Sequence, residues 1–517
     1  MWRVTRPPEI DDATDRAYPL RWVSLVFICL AIFISTVDST IVNVALPSIS
    51  ADLDAGTSGL QWVMDGFNIA AAGFILLGAG IADRFGRKGT FMAGLALFGA
   101  ASISGAFSPT IEILVGSRVL MGLGAALMYP PALALLAVTF APAERRKAVV
   151  VWAAMGGAGL ALGPTIGGIL LSHFWWGSVL LVNVPVAAVG LMGAAVTLPR
   201  SRRPGAPPLD VIGAVLSVIA LVCLVFGIIE GPNRGWSSPV IVGAIVIGLA
   251  GAVGFVLWEL RAPHPMLDLR VFRSGGVIGG TAAFAVGYLS LTGVLFVLPS
   301  FMEYVLDESA LVSGMALMPL GLVFVVFSFL SPTLARRFGD RSVISIGLMT
   351  MALGCCAMAL LARTGGYGVV AIGLAIYGLG LGLSGAPSTA VILDGVPTSK
   401  AGDGSAASQL ARQLGAAFGV AVIGTVLAVT YATGLDDSTA DLSTVQASDA
   451  TASVAGAQAV AEQLDPTAAA SLTSAANTAF DDGARAALLI TAGILVLGTA
   501  VSWSALRPKE AVPATHS

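Results

Sequence analysis

Apolar residues gather along this chain into fourteen long stretches separated by short polar breaks. A bilayer core about 30 Å thick needs about 20 apolar residues per helix, so the pattern predicts fourteen transmembrane helices. Six lie at 22–46, 60–82, 89–107, 111–138, 148–171 and 179–198, and a central pair follows at 211–229 and 240–258. The last six lie at 277–301, 311–330, 343–361, 369–392, 406–431 and 484–506. The expected fold is an all-α polytopic membrane protein with two six-helix halves around an inserted helix pair. Its parts are a tail at 1–21, a first half at 22–198, a linker and helix pair at 199–274, a second half at 275–506 and a tail at 507–517.

Composition agrees with the pattern. Hydrophobic residues make up 56% of the chain, charged residues 11%, and the mean hydropathy is +0.88. A soluble protein carries about 25% charged residues. Of the 27 Lys and Arg residues, only Arg234, Arg363 and Arg485 fall outside when the N-terminus is placed in the cytoplasm, and only Arg118 and Arg412 lie within spans. The excess of positive charge on one side sets the orientation, so a multi-pass protein of the cell (inner) membrane with both termini cytoplasmic is expected. A slip of one helix would scramble this asymmetry.

The longest outside segment, 432–483, holds Asp436, Asp437, Asp441, Asp449, Glu462, Asp465, Asp481 and Asp482 without a Lys or Arg. It reads as a solvated, partly helical or disordered loop; a vestibule that attracts cations is the alternative. The first twenty residues show no cleavable signal pattern. Cys29, Cys223, Cys355 and Cys356 all fall within spans, so neither a disulfide framework nor a metal site is expected.

The chain repeats itself. Ala82-Asp83-Arg84-Phe85-Gly86-Arg87-Lys88 follows the second helix, and Ala335-Arg336-Arg337-Phe338-Gly339-Asp340-Arg341 follows the tenth. Each is the turn after the second helix of a six-helix set. Parallel halves of this kind point to a transporter that binds its substrate between them and works by rocking.

A charge near the bilayer centre is costly and marks a functional candidate. Asp38 sits roughly 24 Å beyond Trp22 on the first helix, Asp65 roughly 7 Å below Leu60 on the second, and Arg118 roughly 12 Å below Thr110 on the fourth. At similar depth in one half-bundle, the three have the chance to meet. Burial disfavours a charged carboxylate and a neighbouring Arg favours it, a competition that suits proton exchange. The alternatives are a fixed Asp38–Arg118 ion pair and an Asp65 that touches interfacial water. His173 and His264 fall in loops and His516 in the tail, so proton coupling would use carboxylates. Gly159, Gly163 and Gly167 recur every four residues beside Pro164 and Gly168. Such spacing lets a neighbouring backbone approach, and Pro164 removes a helix hydrogen bond; ordinary small-residue packing is the plainer reading.

These residues together resemble the major facilitator superfamily and, within it, the fourteen-helix drug:proton antiporters. Asp38-Ser39-Thr40-Ile41-Val42-Asn43-Val44-Ala45-Leu46-Pro47 is similar to that family's first-helix motif. Asp83, Arg84, Gly86, Arg87 and Lys88 resemble the loop motif whose charge contacts with the other half bias the conformational equilibrium, although Ala79 replaces the usual Gly. Arg118-Val119-Leu120-Met121-Gly122-Leu123-Gly124 resembles the fourth-helix motif whose Arg is tied to proton transfer, with Met121 in place of the frequent Gln. Gly159 to Gly168 resembles the motif of exporters, which symporters generally lack. Trp175 to Pro185, and Arg412-Gln413-Leu414-Gly415, are typical of the fourteen-helix group.

The resemblance implies export of hydrophobic or cationic small molecules driven by proton entry, with no cofactor beyond the proton gradient. Asp38 and Asp65 are the expected proton and cation sites, Arg118 their modulator, and Asn43, Glu303 and Arg412 secondary candidates. Glu303, Asp307 and Glu308 also read as solvated loop acids, and Arg412 as a contact across halves or to lipid headgroups. An apolar pocket lined by residues such as Phe67, Met121, Phe284, Phe296 and Met318 is expected. The partners implied are small substrates, protons and membrane lipids, and no nucleic acid. An exporter of one metabolite or lipid would carry the same motifs; a proton-coupled importer fits the Gly159–Gly168 pattern poorly. An enzyme would need a nucleophile, metal or cofactor constellation, and no phosphate-binding Gly-Lys-Ser/Thr loop occurs.

Overall fold

The computed structural model describes residues 18–202, 208–396, 401–440 and 442–506. The tail expected at 507–517 and most of that at 1–21 lie outside them. Among the described residues every element is helical. The first set is α1 (Arg21–Asp52), α2 (Thr57–Phe85), α3 (Arg87–Ala106), α4 (Ile111–Thr139), α5 (Pro142–Leu171), α6 (Ser178–Leu181) and α7 (Asn183–Thr197). The pair α8 (Val211–Arg234) and α9 (Pro239–Arg261) follows. The second set is α10 (Gly275–Tyr304), α11 (Ala310–Ala316), α12 (Met318–Phe338), α13 (Asp340–Asp394), α14 (Ala401–Leu435), α15 (Thr444–Ala452), α16 (Val454–Ala461) and α17 (Pro466–Ala505).

Among the described residues, thirteen helices are long and apolar enough to cross a membrane, against the fourteen expected. The difference is the span at 148–171. It lies in α5 (Pro142–Leu171), of which the apolar helix counted among the described residues is Met155–Leu171. Two other spans are interrupted where a proline cannot donate to the carbonyl four residues back. Pro185 follows the α6–α7 junction at Val182, and Pro319 follows the α11–α12 junction at Leu317. The expected spans 343–361 and 369–392 share α13, whose arms fold back so that Gly347 abuts Gly380 and Gly354 abuts Gly373.

The segment 432–483 is largely folded rather than a solvated loop. It contains α15, α16 and the first turns of α17. Its Ala-rich stretches favour helix, and its polar residues cap them. Ser443 and Gln446 form a reciprocal capping box, and Asp465 accepts from the amides of Thr467 and Ala468 at 3.0 and 3.1 Å. The segment closes one end of the bundle: Tyr431 and Thr57 donate to the carbonyls of Ala450 and Ala452 at 3.0 and 3.1 Å.

The two repeated turns fold alike. Gly86 and Gly339 take positive φ of 114° and 83°, a backbone conformation that favours glycine. Their amides reach back to the carbonyls of Ala82 and Ala335 at 3.0 and 2.9 Å. Each glycine ends one helix and begins the next without a spare residue.

On α9 only Ile241, Gly248, Gly251 and Glu259 are buried, while Val240, Val246, Ile247, Val253 and Leu257 are exposed. A helix apolar all round with so little buried belongs in lipid. Across the two sets, α1 meets α10 and α11, α2 meets α14, and α5 meets α11 and α12. Gly168 abuts Ala310 and Leu311, Gly314 abuts Pro164, and Gln61 donates to the carbonyls of Val420 and Ala421 at 3.2 and 3.0 Å. These contacts cluster toward the end where α1 terminates, the end that α15 and α16 close.

Candidate functional site: a buried charge network and an unpaired carboxylate

Asp38 and Arg118, both fully buried, meet in the first set. The guanidinium donates to Asp38 Oδ2 at 2.5 Å, and Asn183 Nδ2 donates to Asp38 Oδ1 at 2.8 Å. Asn183 also donates to Ser102 Oγ at 3.2 Å, tying α7 and α3 to the carboxylate. Arg118 Nε donates to the carbonyl of Val63 at 3.1 Å, and its guanidinium lies 4.8 Å from the centre of the Phe67 ring. Its Nη2 has no partner. Helix α4 can bring this long side chain so deep because Gly122 sits against the carbonyl of Phe67, where a Cβ would collide.

Asn183 falls within the Trp175–Pro185 motif, but the sequence assigned it no role. Its signal is an amide in an apolar stretch two residues before a proline, where α6 breaks into α7. The break aims Asn183 inward, and it is fully buried.

Asp65 does not join this network. It is fully buried, Oδ1 accepts from Asn68 Nδ2 at 3.4 Å, and Oδ2 has no partner. Among the described residues no cation pairs with it. Asp65 and Asn68 stand one and two turns along α2 from Gln61, on the side that Gln61 uses to bind α14. The two carboxylates at similar depth are thus unequal: one is neutralised inside the first set, the other is uncompensated at the junction of the sets.

Asn43 is buried, donates to the carbonyls of Ser39 and Thr40 at 3.2 and 3.3 Å, and keeps Oδ1 free of partners. Glu303 is no solvated loop acid. It lies in the last turn of α10, and its Oε1 is buried without a partner. Arg412 is half-buried on α14, 4.7 Å above the centre of the Tyr288 ring.

The loop motif keeps its contacts with α7. Arg87 donates to Asp83 at 3.2 Å, and Lys88 donates to the carbonyls of Ala195 and Leu198 at 2.7 and 2.9 Å. Lys88 thereby satisfies the open end of α7, where a cation is favoured. Arg84 lies 5.9 Å from the Phe85 ring centre. Among the described residues, these contacts of Asp83 and Lys88 lie within the first set.

The glycines of α5 serve two neighbours. A Cβ on Gly159 would come within 2.9 Å of the Phe33 carbonyl, one on Gly163 would collide with Thr40 Oγ1, and one on Gly167 would reach 2.8 Å from Ile41. This seam flanks the α1 turn that carries Asp38. Gly168 and Pro164 instead touch α11 of the second set. Gly163→Val is expected to push α5 off α1 and destabilise the protein by about 1–3 kcal/mol. A thermal unfolding midpoint in detergent equal to that of the wild type would show that the seam tolerates the added volume.

The residues expected to line an apolar pocket stand in different surroundings. Phe67 and Met121 are buried around Arg118, Phe284 packs beside Tyr288, and Met318 is exposed. Phe296 lines a cavity with Leu46, Leu60, Tyr304, Tyr431 and Phe480 at the closed end. Packing around a buried guanidinium has consumed the side chains closest to it.

The family profile described as Major Facilitator Superfamily matches residues 28–420. The chain is 31% identical to the multidrug efflux pump LfrA of Mycolicibacterium smegmatis over 94% of this chain and 98% of that one. It is likewise 31% identical to the methyl viologen resistance protein SmvA of Salmonella typhimurium over 94% and 98%. It is 34% identical to the tetracenomycin C resistance and export protein of Streptomyces glaucescens over 79% and 76%. Among solved structures, a bacterial homologue of the human lysosomal transporter Spinster, inward-facing and unoccupied, superposes with a TM-score of 0.64 at 16% identity, covering 96% of this chain and 100% of that one. A D-xylose–proton symporter superposes with a TM-score of 0.58 at 14% identity, covering 78% and 90%. At these identities the structures speak for the fold alone.

Proposed function

The chain belongs to the major facilitator superfamily, and we propose that it works as a proton-coupled exporter of hydrophobic or cationic small molecules. It is a multi-pass membrane transporter and not an enzyme. The observation that carries the reading is its match, along nearly the full length of both partners, to proteins named for multidrug efflux and methyl viologen resistance. The unequal carboxylates support it.

The excess of Lys and Arg supports cytoplasmic termini in a cell-membrane protein. The closed end is then the outer end, and the cleft between the sets opens inward. Asp65, without a counter-charge at the junction of the sets, is neutralised by a proton or by a cationic substrate, one excluding the other. That exclusion is the core of exchange. Asp38, held by Arg118 and Asn183, keeps the first set's charge network in register as the sets rock. The α5 seam carries the motion, with α1 on one face and α11 on the other. Proton entry down the gradient supplies the energy, with no bound cofactor.

Purified protein in vesicles loaded with a pH-sensitive dye tests this. Addition of ethidium, an aromatic cation, is expected to drive proton movement opposite to ethidium, in proportion to the imposed pH gradient. Ethidium transport that ignores the gradient would remove proton coupling and leave a uniporter.

A further inference from the structure

The two helices of the inserted pair differ. Whereas α9 faces lipid, α8 buries Leu221, Val225 and Ile229 in one apolar cluster with Ile69 and Ala72 of α2 and Ala417 and Ala421 of α14. It therefore lies along the seam where the first set meets the second. At the closed end, polar groups fasten it to both sides. Glu230 accepts from Ser58 Oγ at 2.8 Å and from Trp62 Nε1 at 3.0 Å, both on α2. Arg234, one turn further along α8, donates to the other carboxylate oxygen at 3.1 Å and leaves Oε1 to α2. Two residues before Glu230, the carbonyl of Ile228 accepts from Thr425 Oγ1 of α14 at 3.0 Å. Gln61 Nε2 of α2 closes the circuit, 3.4 Å from Thr425 Oγ1. Within a bilayer no water replaces such bonds when they part.

We propose that α8 is a strap across the outer seam of α2 and α14, fastened by Glu230 to the first set and by the Ile228 carbonyl to the second. Asp65 stands one turn along α2 from Gln61, next to the fastening. While the strap holds, the seam shuts that carboxylate from outside protons. Rocking to an outward-facing state parts α2 from α14, so α8 releases one of them. Thr425 costs less to release, because its bond joins two uncharged groups, whereas Glu230 accepts charge-assisted bonds. The strap thus travels with the first set and sets the threshold for opening. Glu230 is a positioning residue in this role. The proposal rests on the exporter reading, which puts the closed end outside.

In the full chain, Leu60→Cys sets a thiol in the closed-end cavity beside the seam. Its reaction with a membrane-impermeant maleimide added outside, above the background of Cys29, Cys223, Cys355 and Cys356, reads how often the seam opens. Added Glu230→Ala or Thr425→Val is each expected to raise the rate about fivefold, the worth of the weaker bond. The two together are expected to raise it no further, since one strap is cut once. Glu230→Gln keeps an acceptor for Ser58 and Trp62 and is expected to label at the parent rate. Trp258→Phe, which removes the 2.8 Å bond to Asp210 at the other end of the pair, is expected to change nothing. Unchanged rates in Glu230→Ala and Thr425→Val would overturn the strap, and so would a double variant that multiplies the two effects. Should Glu230→Ala not fold, Thr425→Val against Trp258→Phe decides alone. Unchanged labelling with ethidium export intact would remove the strap and spare the exporter. Acceleration by reagent at the cytoplasmic face alone would put the closed end inside and sink the proposal and that orientation together.

Discussion

Asp38→Asn is expected to destabilise the protein by about 3–5 kcal/mol, because it leaves the guanidinium of Arg118 buried without a counter-charge. Both side chains are fully buried, and Arg118 already has one nitrogen without a partner. The remaining contacts, the Val63 carbonyl and the Phe67 face, are too weak to replace a carboxylate. Transport should fall with stability. Unfolding midpoints of Asp38→Asn, Arg118→Met and the double variant separate structure from mechanism. The double variant is expected to regain much of the stability, since an apolar replacement of a buried pair is often neutral, yet to remain inactive. A double variant that transports like the wild type would show that the pair is structural packing and nothing more. An Asp38→Asn midpoint equal to wild type would show that Arg118 finds another anion.

Asp65→Asn is expected to do the opposite: keep the fold and abolish gradient-driven export to the level of empty vesicles. The amide fits the volume of the carboxylate and can retain the contact with Asn68. No counter-charge is orphaned, because none pairs with Asp65 among the described residues. Lost with the carboxylate is the one group on this face of α2 that can exchange a proton for a cation. Asp65→Glu keeps such a group and is expected to keep measurable coupling. Proton flux that accompanies ethidium in Asp65→Asn at the wild-type rate would move the coupling site elsewhere, with Glu303 the next buried acid to test.

The helices themselves were legible in the residues, because a bilayer admits a backbone only when each span satisfies its own hydrogen bonds. Length and hydropathy therefore locate most spans within a few residues. The repeated turns were equally legible: a glycine at positive φ is a local demand, met at Gly86 and Gly339 without reference to anything distant. Local chemistry was also enough to single out Asp38, Asp65 and Arg118, since a charge within an apolar span needs a reason. The segment 432–483 was legible as polar and partly helical, but its docking on α2 and α14 depends on residues far away in the chain.

What the chain alone could not settle was pairing. Asp38 and Asp65 look alike along their helices, and depth from hydropathy is the same kind of number for each. Whether a carboxylate is neutralised depends on which way each helix is turned about its axis and on side chains far away in the chain. Asn183, 145 residues from Asp38, completes one site because α6 breaks beside Pro185. Gln61, 359 residues from Val420, fixes the face of α2 on which Asp65 stands. Hydrophobic periodicity carries little of this in a membrane, where lipid and protein interior are equally apolar and no stripe marks the inner face. The residues therefore name the charges and the bilayer orders the helices, while only the packing of helix on helix decides which charge is held and which is left to exchange.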